Sequence, residues 1–169
     1  MDFKPNATAD VNITLSSDKD WKANVAFAEQ KLSEIARARG DKSKKHSPLS
    51  VMIHCAGSWM GGGVESLLTT VDPMLDINLK SAISTAHLAG KFLDDSGAGL
   101  LMLTGAAAAS NQTPTPSMLA YGMSKAATHQ LATSLAHKDA GLAKATVVCV
   151  LPSVDTRAQH QCNTAIVRV

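Results

Sequence analysis

Three short runs of branched and aliphatic residues, each ending at a glycine or proline, alternate with long helical stretches, and this alternation constrains the fold more than any other feature. The runs cover residues 49–57, 100–105 and 145–152. Each is short, rich in Val, Ile, Leu and Met, and reads as a buried strand. Residues 73–93 and 118–137 carry Ala, Leu and Met at helical spacing, and residues 22–39 read as a further helix ahead of the first run. Pro73 is expected at the start of its helix, where a missing N–H is harmless. Strands alternating with helices predict an α/β fold, a doubly wound parallel sheet covered on both faces. Ligands bind such sheets beyond the carboxyl ends of the strands. Those ends are expected at Ala56 and Gly57, at Thr104 and Gly105, and at Pro152 and Ser153.

Within the last helical stretch, Tyr121 and Lys125 lie one turn apart, so a phenol and an ammonium share a helix face. A tyrosine at its ordinary pKa near 10 handles protons poorly at neutral pH, and a neighbouring cation is expected to lower that value. The pair is a candidate general acid. By itself the spacing is common in solvated helices; its position after two strand-and-glycine segments gives it weight.

The segments Cys55-Ala56-Gly57-Ser58-Trp59, Leu103-Thr104-Gly105-Ala106, Tyr121-Gly122-Met123-Ser124-Lys125 and Val150-Leu151-Pro152, with Asp155 and Thr156 beyond, resemble the short-chain dehydrogenase/reductase family. Within it, Trp59 in the glycine-rich loop and the Leu-Pro-x-x-Asp-Thr segment resemble the branch that reduces quinonoid dihydropteridines. The resemblance spans residues 2–156 and implies a Rossmann-like domain over 1–157, with 158–169 a divergent tail. It implies Tyr121 as proton donor, Lys125 as the group that holds the nicotinamide ribose and lowers the tyrosine pKa, and Asn78 as a water-relaying asparagine. Ala56, Gly57, Pro152 and Thr156 would border the cofactor, Asp2 would bind its adenine ribose, and Trp59 would wall the pterin pocket. Asp2 favours NADH, since a carboxylate repels a 2′-phosphate, with NADPH the alternative. A homodimer through the helices at 73–93 and 118–137 is also implied, with Ala82, Ala86, Ala89 and Gly90 permitting close approach.

Two departures qualify the resemblance. The family's serine ahead of the tyrosine aligns with Ala106, and Ser110 reads as a loop residue. The front strand, phosphate loop and helix, a unit of about 30 residues, have no counterpart, nor does the family's last strand. Gly57, Gly61 and Gly63 do spell the spacing of the phosphate fingerprint. No helix, strand and acidic residue follow in the required order, so they read as a strand's exit loop.

Composition adds exclusions. With 169 residues, 45% hydrophobic and 18% charged, the chain fits one globular domain. A net charge of +2 gives no argument for nucleic acid, and the basic stretch at 37–46 reads as a solvated loop. No apolar run approaches the roughly 18 residues of a membrane span and no signal-peptide core is visible, so the expected location is the cytoplasm. Three cysteines without ligand spacing suggest free thiols, with Cys55 and Cys149 expected in the core, and no histidine pattern supports a metal. His54 is expected as a hydrogen-bonded core residue. Two other functions stay open: a non-catalytic chain that dimerises through its long helices, and a reductase of another carbonyl compound.

Overall fold

The computed structural model describes residues 5–38, 49–94, 97–140, 142, 145–154 and 162–168. The chain divides into two compact units, Met1–Pro48 and Leu49–Val169.

In the first unit, helix α1 spans Trp21–Ala38. It starts where the Asp20 carboxylate accepts the Ala23 N–H at 2.9 Å, satisfying one of the unpaired donors of the first turn. Buried Asn24 ties the preceding loop to the helix, accepting from Ser16 N at 3.0 Å and donating to Ser16 O at 2.8 Å.

The second unit contains β1 (Val51–Ile53), α2 (Leu67–Met74), α3 (Ser81–Phe92), β2 (Leu100–Thr104), α4 (Leu119–Leu135), β3 (Thr146–Val154) and β4 (Cys162–Arg168). The sheet order is β1-β2-β3-β4; the first two pairings are parallel and β3 pairs antiparallel with β4. Both parallel crossovers run in the same direction along the sheet, and their right-handed sense places α3 and α4 on one face. Met52, His54, Leu101 and Leu103 are buried. On β1 the alternate residues Val51 and Ile53 stay 49% and 52% exposed.

Several expectations change. The first strand is only Val51–Ile53, because the chain leaves the ladder at His54 and opens into the glycine-rich loop. Cys55, expected in the core, is exposed, while Cys149 is buried as expected. Pro73 does not start its helix but lies inside α2. It is followed by a π-helical turn over Leu75–Lys80 that bridges α2 to α3. Proline removes an N–H from the ladder, and such departures from α geometry accompany the loss. The tail expected from 158 onward contains β4, whose Thr164 pairs with Pro152 and Cys162 with Val154. Pro152 therefore sits within a strand rather than at its end.

Candidate active site

The carboxyl ends of β1 and β2, the π turn and the first turns of α4 converge on one place. From β1 the chain continues through exposed Ala56, Gly57 and Ser58. This loop is bound to the start of α4 by Gly62 N–H donating to Ser117 O at 2.7 Å and Leu119 N–H donating to Gly62 O at 3.1 Å. Trp59 stands on it, 62% exposed, with its indole N–H 3.4 Å from the Met118 sulfur.

Asn78 is fully buried on the π turn. Its Oδ1 accepts the Ser58 N–H at 2.8 Å, and its Nδ2 donates to Ser58 O at 3.1 Å and to Ser124 Oγ at 2.9 Å. Ser124 Oγ in turn donates to Tyr121 O at 2.8 Å. One amide thus links the β1 exit loop to the helix that carries Tyr121. Both of its N–H groups are occupied, so relaying water through this amide would require breaking those bonds. The geometry gives the side chain a positioning part.

Lys125 is 3% exposed and its Nζ donates to Thr104 O at 2.9 Å, at the last residue of β2. An ammonium has three N–H donors, and the Thr104 carbonyl takes one of them. The Tyr121 hydroxyl has no hydrogen-bond partner among the described residues. Burial raises the Tyr121 pKa above its ordinary value and lowers that of Lys125, although a Cys149 thiolate would oppose the latter change. The expected acidification of Tyr121 by Lys125 is therefore not found. Desolvation opposes the charged form of each group, and the ammonium is directed to the Thr104 carbonyl.

The floor beneath is close-packed. A Cβ on Gly105 would overlap His129 Nε2 and lie 2.7 Å from Cys149 Sγ, so any larger residue must displace one of these side chains. Ala106, at the position of the family serine, is buried and donates its N–H to His129 Nε2 at 3.0 Å. That bond leaves the His129 proton on Nδ1. Burial lowers the His129 pKa and raises that of the Cys149 thiol, so both are neutral groups. Ser110 belongs to a 3₁₀ turn over Ala107–Gln112, where its hydroxyl donates to Ala107 O at 2.7 Å.

Of the residues singled out from sequence, Tyr121, Lys125, Asn78, Gly57 and Ala56 come together at this end of the sheet, with Trp59 farther along the same loop. A Cβ on Gly57 would lie 3.4 Å from both Asn78 Oδ1 and Lys125 Nζ. Asp2 and Thr156 lie outside the described residues, as does most of the basic stretch at 37–46. Sequence reasoning missed Thr104, Ser124 and Ser58. Two of these act through backbone groups that no side-chain pattern reveals, while Ser124 lies inside the Tyr-to-Lys segment. Among the described residues no cluster of three or more His, Cys, Asp or Glu could hold a metal, and no helix is long and apolar enough to cross a membrane.

A mainly parallel sheet whose carboxyl end gathers a tyrosine, a lysine four residues later and a buried asparagine defines the class, and the short chain dehydrogenase family model matches residues 7–166. The chain belongs to that family. It is 36% identical over 160 residues to a dihydropteridine reductase of Dictyostelium discoideum, covering 92% of this chain and 62% of that protein. Among solved structures, a short-chain dehydrogenase/reductase of Serratia marcescens superposes with a TM-score of 0.60 at 26% identity, over 80% of this chain and 57% of that one. A short chain dehydrogenase of Burkholderia cenocepacia in complex with NADP matches with a TM-score of 0.60 at 26% identity, over 80% and 51% of the two chains. The chain thus spans about three fifths of the length of that Dictyostelium protein, as the 62% coverage gives.

Proposed function

We propose that the chain carries the catalytic residues of a nicotinamide-dependent reductase acting on a quinonoid dihydropteridine, with Tyr121 as proton donor. The observation that carries this reading is that, among the described residues, the Tyr121 hydroxyl has no hydrogen-bond partner and the buried Lys125 ammonium, one turn on, has one acceptor for its three N–H groups. Vicinal ribose hydroxyls would fill the two remaining donor directions, so the residues present fit a nicotinamide nucleotide. When bound, that cofactor would supply a hydride to the substrate.

The protein's own part is proton delivery and placement. Raised by burial, Tyr121 stays a protonated phenol throughout the neutral range and donates one proton to the ring nitrogen that becomes basic as the hydride arrives. Hydride and proton together convert the dihydropteridine to a tetrahydropteridine, and the phenolate takes its proton back from solvent. Ala106 offers no hydroxyl to polarise a carbonyl, which suits a substrate that is already electrophilic. Trp59 offers an exposed flat ring for a pterin to stack on. The 36% identity to the Dictyostelium dihydropteridine reductase supports this substrate class. NADH is the proposed cofactor through Asp2, with NADPH the competing choice, and the proposed location is the cytoplasm.

The proposed oligomer is a homodimer through α3 and α4. Ala82, Ala86 and Ala89, expected on the dimer face, are buried within the chain. The face left for a second copy contains Ile83 and Gly90 on α3 and Met123 and Ala126 on α4. NADH consumption in the presence of freshly oxidised quinonoid dihydropterin tests the function. Turnover abolished by Tyr121→Phe supports it, and turnover indifferent to that change overturns it.

A further inference from the structure

His54 does nothing in the mechanism above, yet it occupies the junction between the β1 exit and the π turn. Its main chain belongs to the sheet: its N–H donates to Met102 O at 2.8 Å, and its carbonyl accepts the Thr104 hydroxyl at 2.5 Å. The residue is 3% exposed, and its ring places Nε2 2.8 Å from Ser81 Oγ. Ser81 Oγ also donates to Ile77 O, inside the π turn. With that hydroxyl proton assigned to the helix carbonyls, Ile77 O and, at 3.4 Å, Asn78 O, the imidazole is assigned as the donor of the pair. The proton therefore sits on Nε2, and Nδ1 is a bare acceptor. His54 Nδ1 is buried with no partner among the described residues.

An apolar residue of similar size would avoid that unpartnered nitrogen, so burial alone does not account for a histidine here. What the ring supplies is a directed donor. A π turn puts the helical carbonyl ladder out of register. Ser81 takes up the Ile77 carbonyl, and His54 takes up Ser81. Asn78, the residue after Ile77, is the one that holds Ser58 by both backbone groups. We propose that His54 is a positioning residue: through Ser81 it sets the π turn that carries Asn78, and thereby the Ser58 edge of the cofactor site. The consequence for the cofactor rests on the functional reading above; the consequence for Ser58 does not.

The test is amide hydrogen exchange on the isotope-labelled full chain, combined with NADH binding followed by nicotinamide fluorescence. The reporter is the Ser58 amide, and the references are the Leu100 and Thr146 amides, which donate to Ser50 O and Gly99 O. His54→Ala and the milder Ser81→Ala should each speed Ser58 exchange about tenfold or more while leaving the references within twofold. The two changes combined should do no more than either alone, since they break one chain of bonds. His54→Gln, whose amide can reach Ser81 as a donor, should restore Ser58 protection. Unchanged Ser58 exchange in both variants overturns the proposal. So does equal acceleration at Ser58 and the references, which would make His54 a general stabiliser. Selective Ser58 opening in a chain that never binds NADH upholds the positioning role and removes the functional reading instead.

Discussion

The Lys125 ammonium rests on the carbonyl of Thr104, 2.9 Å away, and makes no bond to the Tyr121 hydroxyl that lies one turn before it on α4. The lysine is therefore a buried charge fixed by the end of a strand, with donors to spare. Its substitution should separate folding from binding.

Lys125→Met keeps the length of the side chain and removes a desolvated charge, a change that is often neutral or stabilising for a fold. The melting temperature should stay within a few degrees of the parent or rise. Nicotinamide affinity should fall about tenfold to a hundredfold, the equivalent of losing one to two charge-assisted hydrogen bonds. Calorimetry of the free chain and a fluorescence titration with NADH check the two halves.

Tyr121→Phe should lower turnover about 100-fold or more, the usual contribution of a positioned general acid, while the NADH dissociation constant stays within about twofold. With Tyr121 as the proposed proton donor, the acid form would be the active one. Since burial raises its pKa, activity limited by Tyr121 should persist across the neutral range and decline only on the alkaline side of the ordinary tyrosine value. A steady-state pH profile tests this, and a decline near neutrality would contradict it.

His54 should give the chain an acid-sensitive component of stability. Burial, aided by the Lys125 charge, lowers its pKa from 6.5 to about 4. The unfolded chain therefore binds the extra proton first as pH falls. The contribution is fully present above pH 6.5, declines as pH drops, and is lost once pH has passed through about 4. The limit is on the order of 3 kcal/mol, the free-energy equivalent of a shift from 6.5 to about 4. Between these values, urea melts should show the parent losing stability relative to the non-titrating His54→Gln variant as pH falls, and regaining it toward neutrality.

Gly105→Ala should cost about 1–3 kcal/mol by overpacking, since the new methyl meets His129 and Cys149 at less than contact distance. Displacing His129 also frees the Ala106 N–H. Thermal denaturation reads the loss.

The alternation of strands and helices was legible because buried parallel strands and amphipathic helices have distinct periods. β2, α4 and the core of β3 fall where the periodicity places them. β1 is shorter than its sequence pattern suggests, because Cys55, Ala56 and Gly57 look like strand residues although the ladder has already ended. The π turn was invisible: a proline inside a helix reads as a helix start when only spacing is considered. At the site, Tyr121 and Lys125 announced themselves by residue type. Their environment did not, since the acceptor for Lys125 is a main-chain carbonyl and the direction of the tyrosine shift is decided by burial. β4 escaped because nothing in residues 162–168 marks them as partners of β3 until the antiparallel register is seen.

The central claim is that this chain, with Tyr121 and Lys125 gathered at the carboxyl end of its sheet, binds a nicotinamide cofactor. Energy transfer from tryptophan to NADH, titrated on the purified 169-residue chain, tests it most directly. The account predicts saturable binding that Lys125→Met weakens and Tyr121→Phe leaves intact. An absence of binding at millimolar NADH, or binding indifferent to Lys125→Met, would contradict it.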